Sequence, residues 1–321
     1  MAVDSAAASN LQIEAPLHLK RVHIIVNPAS GQTGLNLRAL NTTLKELDID
    51  WQMSVTRRGG EAGECAREAI AAGVDAVVVY GGDGTVLEVA SALVGNETPL
   101  AILPGGTANV LSVELGIPAD QMAALHLLGG IPSMIRALDM GILVGGADDG
   151  GDLPFFHLGM GVEGAMHEQA DREAKSQSGM MAYVAAALRT LTNAPTSHYT
   201  LTLDGERIEV DGVNCMVTTF GSVGVSGITL SHAIDMSDGL LDVIVVQDTN
   251  LGSILAAAAN AITSGELARP LLQWQAREMT IHADPMPPMV VDGELIDVRD
   301  LTIRVMPRAI RVIVPNMEAA L

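Results

Sequence analysis

Along the first third of the chain, continuous apolar runs alternate with segments of helical spacing. Val22 to Val26 (VHIIV) is an unbroken apolar run that enters Asn27-Pro28-Ala29-Ser30-Gly31, which reads as a buried strand followed by a turn. Leu35 to Leu47 carries apolar residues at helical spacing, Asp50 to Thr56 alternates as a strand, and Glu61 to Ala72 reads as a helix ended by Gly73. Val74 to Tyr80 is a second buried strand, Val86 to Val94 a helix, and Leu100 to Leu103 a further strand. Strands alternating with helices predict an α/β fold with a doubly wound, mostly parallel sheet of Rossmann-like type. In such sheets ligands bind beyond the carboxyl ends of the strands. The three glycine-containing loops, Asn27 to Gly31, Gly81 to Thr85 and Pro104 to Asn109, all fall there.

The rhythm changes near Asp139. Strand-like stretches follow at Met140 to Val144, Phe155 to Leu158, Tyr199 to Leu203, Gly212 to Phe220, Leu241 to Val246, Glu278 to His282 and Pro288 to Val291. They are joined by turns rich in Gly and Asp, and helical patterns interrupt them at Met180 to Leu191 and Leu251 to Gly265. This half reads as a mainly antiparallel β-sandwich. Leu301 to Val314 contains two more strand-like runs. The expected division is a flexible tail over 1–18, an α/β domain over 19–139 and a β-rich domain over 140–302, with 303–318 returning to the first. Gly145 to Asp152 (GGADDGGD) lacks the spaced ligands of an EF-hand and reads as a hairpin turn.

Composition narrows the class. The 321 residues suffice for two domains. Hydrophobic residues make up 48% and mean hydropathy is +0.32, yet no run approaches a membrane span of ~20 apolar residues. Met1 to Pro16 has no basic leader, so no secretory signal is expected. Cys65 and Cys215 are too few for a disulfide framework or a cysteine zinc site, which places the chain in a reducing cytoplasm. A net charge of −20 excludes a basic nucleic-acid footprint. Contact with a membrane is therefore expected to be transient and peripheral, through a local basic spot such as Arg57-Arg58.

The chemistry is concentrated at Tyr80-Gly81-Gly82-Asp83-Gly84-Thr85, directly behind a buried strand. Gly81, Gly82 and Gly84 let backbone N–H groups approach an anion, the helix N-terminus adds a favourable field, and Thr85 offers a hydroxyl. A carboxylate beside phosphates repels them unless a cation or a substrate hydroxyl lies between, so Asp83 points to phosphoryl transfer with Mg²⁺. Asp83 would hold the ion or orient the attacking hydroxyl; capping the following helix is the simpler role. Asn27 and Ser30 offer an amide and a hydroxyl to nucleotide oxygens, unless they merely shape a strand-to-helix turn. Thr107 and Asn109 repeat that logic in the third loop, with helix capping again the alternative.

Taken in order, NPASG at 27–31, GGDGT at 81–85, PGGTAN at 104–109, LGIP at 115–118, SDGLLD at 237–242 and DGE at 292–294 resemble the bacterial soluble diacylglycerol kinase / sphingosine kinase catalytic-domain family. The likeness covers roughly residues 20 to 315. It implies an NAD kinase/diacylglycerol kinase-like fold, ATP and Mg²⁺ as cofactors, and a nucleotide contact at Thr56. It implies a structural Mg²⁺ at Asp238, aided by main-chain carbonyls of Asp235 and Leu240. It also implies that Glu294 acts as general base, with burial at the domain cleft raising its pKa. Asn109-Val110 stands where many members carry Asn-Asp, and Gly106 where Leu or Ala is commoner.

The activity expected is ATP-dependent phosphorylation of a lipid hydroxyl, of diacylglycerol or a similar lipid alcohol, at the inner membrane face. An NAD kinase-like enzyme is the enzymatic alternative, and a nucleotide-binding regulator without turnover the non-enzymatic one. The oligomeric state stays open, a homodimer included. Gly159 to Met166 and Gly179 to Leu191 are apolar and small enough to line a groove for acyl chains. His157, His232, Met160 and Met180-Met181 are expected to be packing residues. Trp51, Trp274, Tyr183 and Tyr199 are too scattered for base stacking.

Overall fold

A computed structural model of the chain describes residues 18–31, 34–147, 150–162, 164–165, 195–221, 234–247, 271–298 and 301–316. The expected tail up to residue 17, the helices at Met180 to Leu191 and Leu251 to Gly265, His232 and Tyr183 lie outside the described residues, as does most of the proposed acyl groove.

The first half alternates as its pattern predicts: β1 (Arg21–Val26), α1 (Leu37–Glu46), β2 (Asp50–Val55), α2 (Glu61–Ala71), β3 (Ala76–Gly81), α3 (Asp83–Leu93) and β4 (Leu100–Pro104). Val22, Ile24, Ile25, Val77, Val78 and Val79 have no exposed surface, because helices cover the sheet and leave no polar face for β1 and β3 to alternate with. Burying each such side chain stabilises the fold by roughly 1.5–3 kcal/mol. In α1, Leu40 and Leu44 lie one turn apart on the buried face. Asn36 caps its start, the side-chain oxygen accepting the Ala39 N–H at 3.1 Å. The strands run β2-β1-β3-β4, all parallel. From β1 the chain goes to one side for β2 and to the other for β3, so the topological switch point falls between β1 and β3. The NPASG and GGDGT loops leave the sheet there.

Two short helices follow, α4 (Val110–Glu114) and α5 (Gln121–Leu125), and then β5 (Ser133–Leu143), β6 (Leu153–Phe155) and β7 (His157–Gly161). Next come β8 (Ser197–Leu203), β9 (Glu206–Gly212), β10 (Asn214–Thr218), β11 (Leu241–Val246), β12 (Leu271–Ala276) and β13 (Glu278–Asp284). The hairpin β14 (Met289–Val291) and β15 (Glu294–Ile296) precedes the last strand, β16 (Leu301–Pro315). β12-β11-β10-β7-β14-β15 form a six-stranded antiparallel sheet. It packs on β13, β8 and β9 around a core that includes Phe155, Leu158, Tyr199, Val243 and Ile303.

The two halves share one sheet. β16 lies parallel to β4 at Val312↔Leu100, antiparallel to β13 over 301–304, and antiparallel to β5 along nearly its whole length. The two runs expected over Leu301 to Val314 are therefore one strand, interrupted by a bulge between Met306 and Ile310 with Arg308 at φ 53. The segment Arg136 to Gly141, where the rhythm changes, lies inside β5. Conversely, the single strand expected over Phe155 to Leu158 is split. Phe155 packs in the second core and Phe156 in the first, so the chain crosses between sheets there. The helix expected from Val86 begins three residues earlier, at Asp83. Around Gly145 to Asp152 the expected turn is seen, the Asp152 carboxylate accepting the Gly145 N–H at 3.0 Å.

Asp139 pins the shared strand pair. Its carboxylate accepts N–H groups of Arg308 in the bulge and of Gly239, both at 2.6 Å, and its own N–H donates to the Met236 carbonyl at 2.7 Å. Burial pushes the pKa of this carboxyl up, and the two N–H bonds oppose the shift. Asp139→Ala leaves both donors without their acceptor and is expected to cost about 2–4 kcal/mol, read as a lower urea midpoint at unchanged m-value.

Candidate active site

The three glycine loops lie against one another at the carboxyl edge of the parallel sheet. Backbone bonds continue the ladder into them: Asn27 N–H donates to the Tyr80 carbonyl and Gly105 N–H to the Gly81 carbonyl, both at 2.9 Å. Only glycine fits the closest approaches. A Cβ on Gly106 would sit 2.6 Å from Gly82 Cα, and one on Gly31, at φ 76, would sit 2.8 Å from the Gly105 carbonyl oxygen. Gly106, where the family more often has Leu or Ala, is therefore required by this chain's own loop packing.

The polar residues expected to meet nucleotide oxygens also hold the loops together. Asn27 Nδ2 donates to Thr85 Oγ1 at 2.8 Å, and Ser30 Oγ accepts the Gly82 N–H at 3.2 Å. Tyr80, unmarked by any motif, donates its hydroxyl to the Ser30 carbonyl at 3.1 Å. Thr56 is buried, with its hydroxyl 3.4 Å from the Val26 carbonyl. Asn109 closes the third loop on itself: Oδ1 accepts the Gly106 N–H at 2.8 Å and Nδ2 donates to the Gly106 carbonyl at 2.9 Å, at a backbone φ of 48. Thr107 and Gly84 stand exposed at the loop tips, and nothing lies within 4 Å of where a Gly84 Cβ would be. Loop tips and packed glycines thus leave a bed of the kind phosphates occupy.

Asp83 does not cap its own helix. Gly82 is the N-cap of α3 and makes no side-chain cap bond, whereas Asp83 Oδ1 accepts the N–H of Val110, the first residue of α4, at 2.7 Å. The carboxylate thereby joins the second loop to the segment behind the third.

In the loop before β11, Asp238 Oδ1 accepts the Leu240 N–H at 2.9 Å, and Oδ2 lies 3.3 Å from Gln275 Nε2. Partial desolvation, with the charge of Asp235 added, holds its pKa above the ordinary range. The Asp235 carboxylate pairs with Arg136 at 2.7 Å, leaving the main-chain oxygens of Asp235 and Leu240 as the donors the resemblance implies. Asp238 with the main-chain oxygens of Asp235 and Leu240 would be an all-oxygen donor set, the chemistry a hard cation takes. Among the described residues no group of three or more His, Cys, Asp or Glu side chains is arranged to hold a metal.

Glu294 opens β15 and is exposed, so the burial expected of it is not found. Burial falls two residues earlier. Asp292 and Gly293, at φ 45 and φ 92, form the two-residue turn of the β14–β15 hairpin. Although the residue keeps some surface, the Asp292 carboxyl group is desolvated, and its pKa is pushed up to about 6 by burial first and by the charge of Asp83 in part. It accepts the N–H groups of Phe156 and His157, both at 2.9 Å. The His157 ring packs on Phe220, stacked with centroids 5.8 Å apart. The charge of Asp83 reaches the Asp292 carboxyl in the turn that bears Glu294, while Asp238 lies in a separate loop whose Gly239 N–H bonds to the Asp139 carboxylate. Asp-Gly alone reads as a hairpin turn, which is why sequence reasoning assigned Asp292 no role.

The expected basic spot is neutralised. Arg57 pairs with Glu61 at 2.8 Å and Arg58 with Glu64 at 2.6 Å. Among the described residues, no helix is long and apolar enough to cross a membrane.

Comparison with known proteins agrees with this architecture. The Diacylglycerol kinase catalytic domain matches residues 21–142, and the YegS C-terminal NAD kinase beta sandwich-like domain matches residues 157–314. A Pseudomonas aeruginosa protein named "Probable lipid kinase YegS-like" is 30% identical over 287 residues, covering 87% of this chain and 89% of its own. A Mycobacterium tuberculosis protein named diacylglycerol kinase is 27% identical over 304 residues, covering 92% and 96%. The crystal structure of a candidate diacylglycerol kinase from Bacillus anthracis superposes with a TM-score of 0.73 at 25% identity, covering 93% of this chain and 98% of that one.

Two glycine substitutions separate loop packing from ligand approach. Gly106→Ala is expected to force the second and third loops apart and weaken nucleotide binding at least tenfold by calorimetry, with a lower melting temperature. Gly84→Ala should keep the wild-type melting temperature, since its methyl meets open space, and weaken nucleotide binding only.

Proposed function

The chain belongs to the family of diacylglycerol kinase catalytic-domain and YegS-like lipid kinases, and from that premise we propose that it transfers the γ-phosphoryl group of ATP to the hydroxyl of diacylglycerol or a similar lipid alcohol. The observation that carries this reading is the packing of the glycine loops at the carboxyl edge of the parallel sheet, where Gly31 and Gly106 leave no room for a Cβ. Asp83 stands at the phosphate bed, and its charge is felt by Asp292 in the turn that bears Glu294. A donor side and an acceptor side facing one cleft are what in-line phosphoryl transfer requires.

The roles follow from position. The loops of Gly81 to Thr85 and Pro104 to Asn109 cradle the phosphates, with Asn27, Ser30 and Thr56 at the nucleotide edge. Asp83 would hold the Mg²⁺ that accompanies the nucleotide, which supplies charge neutralisation when bound. Asp238, with main-chain oxygens of Asp235 and Leu240, would hold a structural ion. Glu294 accepts the lipid hydroxyl proton as the alcohol oxygen bonds to the γ-phosphorus, the bridging P–O bond breaks and ADP leaves. Exposure of Glu294 keeps it open to an acceptor arriving from outside, and exposed Leu295 beside it supplies apolar contact for a lipid. With no crossing helix among the described residues, the lipid is met at a membrane surface, in brief contacts given the charge of −20.

Labelled ATP incubated with extracted host lipids is expected to yield a labelled phospholipid. Label passing to NAD, or to no acceptor despite ATP binding, would overturn the assignment. Glu294→Gln is expected to lower kcat by about a hundredfold or more, with ATP affinity and melting temperature unchanged because its side chain is exposed.

A further inference from the structure

The crossing of the chain between its two sheets leaves the N–H groups of Phe156 and His157 at a gap between β6 and β7. Asp292 fills that gap with its carboxylate, which accepts one N–H on each oxygen at 2.9 Å. Its own N–H donates to the His157 carbonyl, also at 2.9 Å. Three bonds thus run from one turn residue to two consecutive residues of another segment. They continue the β14–β7 ladder, whose last pair is Val291↔Leu158, one step past the end of the strand. The same segment is held from its other side by Thr219, whose N–H donates to the Phe156 carbonyl at 3.0 Å.

Glu294 depends on this arrangement. It is the first residue after the Asp292-Gly293 turn and is exposed, so its place is set by the backbone that presents it. The hairpin pairing Val291↔Glu294 fixes Glu294 relative to β14. The Asp292 clamp fixes the turn relative to the crossing segment, and Phe156 in that segment packs into the core of the parallel-sheet half. Resting on the kinase reading above, we propose that Asp292 is the positioning residue for Glu294. It fastens the turn that carries the general base to Phe156 and His157, and so holds that base against the half of the chain that carries the Asp83 loop. Proton transfer is not its task, because both oxygens are engaged by backbone donors.

Asparagine is isosteric but can accept at only one of its two side-chain atoms, and its NH₂ would face the second backbone N–H. Asp292→Asn is therefore expected to lower kcat at least tenfold while the KM for ATP stays within twofold. The decisive comparison is a double-mutant cycle with Glu294→Gln. If Asp292 acts through Glu294, the double variant turns over no more slowly than Glu294→Gln alone. Losses that multiply would overturn the proposal, as would an Asp292→Asn enzyme with wild-type kcat. A second measurement needs no variant: amide hydrogen exchange on the wild-type protein should find Phe156 and His157 protected, and rapid exchange at both would remove the clamp itself. If the wild-type protein phosphorylates no lipid, the kinase reading falls and this role with it, whereas protection at the two amides would still show the clamp intact.

Discussion

One strand holds the whole arrangement. β16 belongs to the parallel sheet at one end and to the antiparallel layer at the other, with β5 alongside it nearly throughout. A pair of strands shared in this way leaves the two halves little freedom to swing. The bulge at Met306 to Ile310 is the place where the strand could give, and Asp139 holds it there by accepting the Arg308 N–H. The same carboxylate accepts from Gly239, so the loop that carries Asp238 is tied to the bulge. Gly95, just past α3, donates to the Ala309 carbonyl at 2.8 Å, which ties the helix beginning at Asp83 to the same point. The geometry of the cleft is thus referred to a few bonds around one buried acid.

Burial of the Asp292 carboxyl carries a cost. Asp292 has its pKa raised to about 6 in the fold, against an ordinary value of 3.8. A group raised in this direction contributes stability that is full below the unfolded pKa and is lost as pH rises through about 6. At neutral pH the ionised Asp292 therefore opposes folding, and the Phe156 and His157 N–H bonds to its carboxylate limit that cost. Sites that store such strain commonly do so for function. Here the clamp places an exposed Glu294 where buried surroundings would have shut out an acceptor.

Much of the fold was legible because burial leaves a pattern. β1, β3, α1 and α2 were readable from unbroken apolar runs and from Leu40 and Leu44 one turn apart, and β11 falls on the residues its apolar run predicted. What the pattern hid follows from the same physics. Among the described residues β9 (ERIEVDG) is an edge strand paired to β8 alone, and its polar face masks it. β16 reads as two runs because the bulge at Pro307-Arg308 breaks the alternation without ending the strand. The chemistry was legible where glycine is forced by contact, as at Gly82 and Gly106. Asp292 and Asp139 were silent, because a carboxylate that bonds backbone N–H groups from distant segments leaves no local spacing to read.

The central claim is that the Asp83 loop and the Asp292 turn, from opposite halves of the chain, face each other across one cleft. It is tested most directly by following the side-chain carboxyl of Asp292 by NMR through a pH titration of the metal-free protein, in the wild type and in Asp83→Asn. The account predicts an Asp292 pKa near 6 in the wild type, since burial and the Asp83 charge both raise it, and a lower value once that charge is removed. An Asp292 titration that is unchanged by Asp83→Asn would contradict it.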